Sequence, residues 1–396
     1  MAAQVQTLKS AADPKGAAAP AVPFGVNEVR LSGRQWLVCC AIVGAVMWLV
    51  PNAWKHVEEF STGADYRIPY ELSRDYWLYA RRLGQIRNPA SIFLLGDSVI
   101  WGEYVLPDGT LSHFLNQQAG AKDKFFNGGL NGLFPLAQQG LVAYYSPTLH
   151  RRKVILECNL LWMTSPKADL SSDKEDQFNH SRLVPQFRPR IPCYKANANE
   201  RLGAVIENHV EFLSWIGHLQ ILYFGQKSIP NWTLEDDGRS PPGYPNSYKN
   251  PLAQISMRVP SAPVDDAQRG PRSPRHRPWT EAGQGPTRFD WVPRDASLQW
   301  EGFRRVVRTL RDRGNDVLVL VGPFNEHMIA DDNRAAFREL HDGAVSWLRE
   351  NHITAIAPDA LPSELYADAS HPLTHGYELL AQKLYADETF RSWVTR

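Results

Sequence analysis

Short apolar runs separated by longer helical patterns constrain the fold of this 396-residue chain more than any other feature. A short apolar run between turn residues is typical of a buried strand in a parallel sheet. The runs are Ser91–Leu95, Lys124–Phe126, Lys153–Glu157, Asp316–Val321 and Thr354–Ile356, and helical patterns follow at Pro135–Tyr145, Leu298–Arg313 and Arg334–Glu350. This alternation forces parallel pairing with right-handed crossovers. We therefore predict an α/β fold of three layers, with a five-stranded parallel sheet in the flavodoxin-like order 2-1-3-4-5.

A serine follows the first apolar run, in the tripeptide Gly96-Asp97-Ser98. Open α/β sheets bind ligands at the carboxyl ends of their strands. A serine on a tight strand-to-helix turn exposes its hydroxyl beside the first helical N–H groups, which suits a nucleophile. The same tripeptide also fits an ordinary turn with an N-capping Asp or Ser, so the assignment needs a second signal.

The second signal is an Asp-Ala-Ser-His-Pro motif, from Asp368 to Pro372, ahead of a helical pattern over 376–387. A hydroxyl nucleophile needs a base of near-neutral pKa, and histidine is the usual one. A carboxylate then holds the tautomer of the imidazole. Asp368 can reach back to His371 within one turn, whereas His375 has no acidic residue at that spacing. These motifs predict Ser98, His371 and Asp368 as a catalytic triad.

A glycine-rich turn follows the second run. Glycines let the backbone approach a ligand and point N–H groups at an oxyanion, although Asn-Gly is also a hairpin signal. The pattern Asn-x-Gly-x-x-Gly falls on Asn127, Gly129 and Gly132, Gly102 stands four residues after the serine, and His-Pro-x-x-x-Gly-Tyr ends at Tyr377. With the Gly-Asp-Ser and Asp-x-x-His motifs, the chain resembles the SGNH (GDSL) hydrolase superfamily over about residues 90–160 and 297–390.

The resemblance implies an oxyanion and substrate-binding set formed by Asn127, Gly129 and one further asparagine, without a metal or cofactor. The family's block Gly-x-Asn-Asp normally supplies that asparagine. The candidates are Asn159, after the third strand, and Asn325, after the fourth. The order of elements favours Asn159, although Glu157 and Leu160 replace the family's Gly and Asp.

The N-terminal region predicts a membrane anchor. Residues 1–34 are rich in Ala, Pro and Gln, and we expect a disordered cytoplasmic tail. Residues 35–54 form an apolar stretch of nearly the ~20 residues needed to span a bilayer, with tryptophans at both ends. Basic residues precede this stretch, and the positive-inside rule puts the domain of residues 55–396 outside the cytoplasm. The alternative is a cleaved signal peptide, for which Pro51-Asn52-Ala53 is a poor site.

A long insertion, about 161–295, separates the third and fourth strands. Apolar spacing over Leu202–Phe224 indicates a helix, which either covers the core or forms a lid or membrane-proximal surface. Residues 228–293 are rich in Pro, Gly, Arg and Ser and should be extended, mobile or ordered by a partner. They include a basic cluster that either contacts an anionic polymer or is simply solvated: Arg269, Arg272, Arg275, His276 and Arg277. Cys158 and Cys193 would share an oxidising space and could pair.

The resemblance and the anchor together imply a function. A net charge of +1 and the lack of a basic motif argue against nucleic acid. SGNH enzymes cleave or transfer acyl groups, and an anchored, extracytoplasmic member resembles the alginate O-acetylation and D-alanine transfer proteins. We therefore expect a serine acyltransferase or esterase in the cytoplasmic membrane. We expect it to transfer an O-acyl group, such as acetyl, to a cell-envelope or secreted polysaccharide or to remove one from it. Its expected partner is a membrane-bound O-acyltransferase. The alternative is a catalytically silent scaffold of the same fold that binds a polysaccharide or organises a membrane complex.

Overall fold

The structure is a computed structural model that describes residues 31–63, 65–173, 179–184, 187, 191–234, 249–260 and 276–396. The chain divides into two units, Met1–Met47 and Trp48–Arg396. Most of the expected disordered tail, residues 1–30, lies outside the described residues, as do two stretches of the insertion, residues 235–248 and 261–275.

The elements alternate along the chain as the sequence predicts. The strands are β1 Ile92–Leu95, β2 Phe125–Asn127, β3 Lys153–Cys158, β4 Asp316–Val321 and β5 Thr354–Ile356. The α-helices are α1 Gly33–Val57, α2 Tyr76–Gln85, α3 Ser98–Trp101, α4 Leu111–Gln118, α5 Pro135–Tyr145, α6 Ala198–His209, α7 Glu211–Phe224, α8 Ile229–Leu234, α9 Pro251–Gln254, α10 Leu298–Asp312, α11 Arg334–Glu350, α12 Thr374–Ala386 and α13 Glu388–Thr395. Short 3₁₀ turns occur between them, including Leu160–Met163 after β3.

The sheet confirms the predicted strand order. Its order is β2-β1-β3-β4-β5, and every pair is parallel. In the register, Leu94 lies beside Asn127 on one side and Ile155 on the other. The carboxyl end of β1 is thus flanked by the carboxyl ends of β2 and β3, where two of the predicted site motifs begin.

Alternate residues of each strand point into two separate cores. One face of the sheet packs against α2, α5, α10 and α11, with Phe93, Leu156 and Val319 among the strand residues buried there. The other face packs against α4, α12 and α13 through residues such as Leu94, Ile155 and Leu318. Strands buried on both faces explain why the runs read as continuous apolar sequence rather than as alternating sequence.

The N-terminal apolar helix, α1, is longer than the predicted span of residues 35–54. It runs from Gly33 to Val57, with Pro51 inside it. By length and composition it suffices to cross a membrane, and little of its apolar window is buried. A signal sequence near an N-terminus has the same properties, so the helix itself leaves both predicted interpretations in place.

The stretch Leu202–Phe224, where apolar spacing indicated one helix, belongs to two helices, α6 and α7. Val210 ends α6 and begins α7 with φ −110° and ψ 101°, an extended conformation that a β-branched residue favours. The core-covering interpretation applies to α7, which buries Trp215, Leu219 and Phe224, whereas Ala204 is the buried residue of α6. The possible disulfide does not form in this structure: Cys158 and Cys193 are both buried and are not bonded to each other.

Candidate active site

The turn after β1 holds Ser98 as the first residue of α3. Asp97 caps this short helix, and its Oδ1 accepts a hydrogen bond from the Val99 N–H at 2.9 Å. The other oxygen of Asp97 accepts from Asn159 Nδ2 at 3.1 Å and from the Trp162 indole at 2.8 Å. The turn is therefore fixed from its own helix and from the segment that follows β3.

The three residues predicted as a triad form one hydrogen-bonded chain. Ser98 Oγ lies 2.8 Å from His371 Nε2, although 273 positions separate the two residues. His371 Nδ1 lies 2.8 Å from each carboxylate oxygen of Asp368. A base within 2.6–3.2 Å of its nucleophile, itself oriented by a carboxylate, is the geometry that nucleophilic catalysis by serine requires.

The electrostatics of the pair favour a charged imidazole beside a charged carboxylate. Burial raises the pKa of Asp368, but His371 and the N–H groups of Ser370 and His371 outweigh it and the pKa is lowered overall. Burial lowers the pKa of His371, but the Asp368 carboxylate outweighs it and raises that pKa to about 9. Stabilisation of the imidazolium is what a base needs when it takes the proton of a hydroxyl.

The glycine-rich turn packs against α3. Asn127 Nδ2 donates to the Ile100 carbonyl at 2.8 Å, and Asn127 Oδ1 accepts from the Gly129 N–H at 3.1 Å. A Cβ at Gly129 would lie 2.4 Å from the Trp101 nitrogen, so the close approach needs glycine. The Gly129 N–H, expected to face an oxyanion, here donates to Asn127 instead.

The two asparagines predicted as alternative oxyanion donors lie in different parts of the site. Asn159 bonds to Asp97 with one amide hydrogen, and its amide group has a second hydrogen to donate. Asn325 donates its amide to the Asp368 carbonyl at 3.0 Å, and its backbone N–H donates to the Ala369 carbonyl at 2.9 Å. Asn159 thus belongs to the nucleophile turn, and Asn325 supports the loop of the acid and the base.

Three further residues near the triad carry no sequence motif. Trp162 bonds to Asp97 as described, and the negative charge of Glu103 contributes to the raised pKa of His371. The ring of Tyr104 meets that of His371 edge-on at 5.5 Å, and its backbone adopts φ 67°. A left-handed conformation at a tyrosine is strained and clusters at functional sites, but the sequence gives no signal for it.

Part of the basic cluster of the insertion contacts this region. His276 Nδ1 donates to the Tyr104 carbonyl at 2.6 Å, and Arg277 follows it in the chain. The three other members, Arg269, Arg272 and Arg275, lie outside the described residues. Within the described parts of the chain, no group of three His, Cys, Asp or Glu side chains is arranged to hold a metal ion.

No protein-family model matches the chain, and no curated protein matches it significantly. The functional argument therefore rests on the geometry of the site.

Proposed function

We propose that this protein is a serine acyltransferase or esterase of the SGNH type, anchored in the cytoplasmic membrane. The observation that carries the proposal is the hydrogen-bonded chain from Ser98 through His371 to Asp368. The motifs of the resemblance lie along the same edge of the parallel sheet, where open α/β folds bind their ligands.

The residues supply each step of acyl transfer. Ser98 Oγ attacks the acyl carbon while His371 Nε2 takes its proton, and Asp368 stabilises the imidazolium. The oxyanion that forms receives hydrogen bonds from the Ser98 N–H and from the second amide hydrogen of Asn159. Collapse of the tetrahedral intermediate expels an alcohol, which takes the proton from His371, and leaves an acyl-serine ester.

The acceptor in the second half-reaction decides between an esterase and a transferase. His371 takes a proton from water in hydrolysis and from a sugar hydroxyl in transfer, so the catalytic residues are the same. We favour transfer of an acetyl group onto an envelope or secreted polysaccharide, because an anchored enzyme can receive acyl groups from a membrane-bound acyltransferase. The apolar helix α1, with basic residues before it, supports this placement.

A fluorophosphonate probe tests the nucleophile directly. We expect covalent labelling of the full-length protein in membranes and its loss in Ser98→Ala, because the probe needs an activated serine hydroxyl. Ser370→Ala is a matched control, since it removes a nearby buried serine that contributes only its N–H to Asp368. Equal labelling of wild type and Ser98→Ala would leave a catalytically silent scaffold as the better interpretation.

A reporter fusion tests the topology. Alkaline phosphatase fused after Arg396 should be active, because that enzyme needs an oxidising space to form its disulfides. An inactive phosphatase combined with a fluorescent cytoplasmic reporter would reverse the orientation. Release of the protein into a soluble extract would support a cleaved signal peptide.

A further inference from the structure

Glu157 is a buried acid in the middle of the sheet, and the mechanism above does not use it. It lies in β3, where its register partner in β4 is Leu320. The residue is fully buried, and acids are almost never so placed unless they have a partner. Its position is also where the SGNH block normally has glycine, so the carboxyl group calls for a physical explanation.

The carboxyl group of Glu157 contacts the nucleophile turn. Its Oε2 accepts a hydrogen bond from the Asp97 N–H at 3.0 Å, one residue before Ser98. Gly96 makes room for it, because a Cβ there would lie 2.2 Å from the same oxygen. The Glu157 carboxyl group can therefore approach the turn because residue 96 has no side chain.

The surroundings of Glu157 favour its uncharged form. Burial and the Asp97 carboxylate raise its pKa well above the usual range. Asp97 itself accepts hydrogen bonds from one backbone N–H and two side chains. Two further titratable groups are near: the Tyr377 hydroxyl donates to the Val99 carbonyl, and the Cys158 thiol is buried. The positive charges around this cluster are His371, which interacts with Asp97, and Arg67, which interacts with Tyr377.

The second oxygen of Glu157 gives an independent indication of a proton. Oε1 is buried and accepts no hydrogen bond from any of the described residues. A carboxylate oxygen left this way in a dry interior is costly, whereas a protonated carboxyl group can donate from it. The neighbouring Asp97 side chain also favours the protonated form of the Glu157 carboxyl group.

We propose that Glu157 is a positioning residue that holds the nucleophile turn as an uncharged carboxylic acid and acts on Ser98 through Asp97. The inference rests on the proposed function for its catalytic consequence. By fixing the peptide N–H that precedes Ser98, the acid sets the direction of the Ser98 hydroxyl and N–H. A misplacement of about 1 Å at such a position costs roughly 10²-fold in rate.

Two substitutions separate the hydrogen bond from the charge. Glu157→Gln keeps the size and the acceptor but cannot ionise, and we expect kcat within about 3-fold of wild type. Glu157→Met keeps the volume without an acceptor, and we expect kcat to fall about 10²-fold with KM little changed. Asp169→Asn is the matched control: Asp169 is another buried acid of raised pKa, whose bonds go to the start of α10, and kcat should be unchanged. Wild-type kcat in Glu157→Met, or equal loss in both Glu157 variants, overturns the proposal.

An infrared measurement tests the protonation state without using activity. The difference spectrum between wild type and Glu157→Gln at neutral pH should contain the carbonyl stretch of a protonated carboxylic acid. A carboxylate band in its place overturns the proposal. This result is distinguishable from failure of the proposed function, which the fluorophosphonate probe reports on Ser98. Urea unfolding of each variant identifies those that fold. If Glu157→Met does not fold, the infrared spectrum of Glu157→Gln alone is enough to test the proposal.

Discussion

Two histidines of this molecule have pKa values raised to about 9 but contact different groups. His371 lies between the Asp368 carboxylate and the Ser98 hydroxyl. His218 of α7 lies between two carboxylates, 2.6 Å from Asp75 and 3.0 Å from Glu58, with its side chain fully buried. In both cases burial lowers the pKa, the acids outweigh it, and the value rises to about 9.

The difference is in what faces the second ring nitrogen. At His371 it faces a hydroxyl whose proton it can take, so the ring can act as a base. At His218 both nitrogens donate to carboxylates, and Glu58 also accepts from Tyr223, Trp54 and Arg81. That network joins the segment after α1 to α2 and α7, and it offers no nucleophile. A shifted pKa alone therefore does not distinguish a catalytic histidine from a structural one, whereas its partner does.

The largest expected effect is the loss of turnover when His371 or Ser98 is replaced. Ser98→Ala and His371→Ala should each reduce kcat by roughly 10⁴–10⁶-fold, and the double variant should lose little more, because a triad acts as a unit. The assay is release or transfer of acetyl from a chromogenic acetyl ester. His375→Ala is the control, since that imidazole is 84% exposed. Additive losses in the double variant would contradict a shared mechanism.

At His218 we expect a loss of stability instead of a loss of turnover. His218→Ala leaves Asp75 buried without its cation, and breaking a buried pair in this way costs about 3–5 kcal/mol. Chemical denaturation of the full-length protein measures this cost. The kcat of the fraction that remains folded should stay near that of wild type. If turnover fell as far as in His371→Ala with stability unchanged, the contrast between the two histidines would be lost.

Substitutions at the two asparagines should also differ in their effect on kcat, but by less than those at the two histidines. Asn159→Ala removes a donor beside Ser98 and should lower kcat by about 10²–10³-fold. Asn325→Ala should cost less, because Asn325 acts on the Asp368 loop through main-chain groups. Steady-state kinetics on both variants would measure the difference. The reverse ranking would move the oxyanion assignment to Asn325.

The smallest effect is a pair of opposite pH dependences. Loss of the proton from His371 produces the active base, so kcat/KM should rise with pH towards about 9. The folded pKa of His218 is raised, so its stabilisation is complete below its ordinary pKa of 6.5 and is lost as pH rises through about 9. The loss is at most about 1.4 kcal/mol for each pH unit. Rate profiles and denaturation midpoints on one sample check both signs, and a rate that falls over this range would contradict the role of His371.

The sequence predicts the parts of the fold and site that depend on local patterns. The strand runs and their order follow from apolar periodicity, and Ser98, Asp368 and His371 follow from short motifs whose chemistry is local. Contacts between distant segments leave no such pattern. The edge contact of Tyr104 with His371 and the contact of Glu157 with the Asp97 N–H each depend on how separate segments meet at one edge of the sheet.

The break between α6 and α7 illustrates the same limit within a single segment. Apolar spacing continues across Val210, because both helices need an apolar face, and a single periodicity cannot show that the chain changes direction there. An extended backbone at the single β-branched residue Val210 is enough to separate the two helices. Where this separation occurs depends on how α7 packs, which the periodicity does not show.

The two buried cysteines of the domain that contains the sheet, Cys158 and Cys193, have a practical consequence. Oxidants and thiol reagents attack the exposed thiolate, and burial both shields Cys158 and Cys193 and keeps the Cys158 thiol protonated by raising its pKa. Folding of this domain therefore needs no disulfide isomerase and no oxidising lumen. The protein can therefore be produced in a reducing cytoplasm for study, and its fold should not change with the redox potential of the compartment in which it is placed.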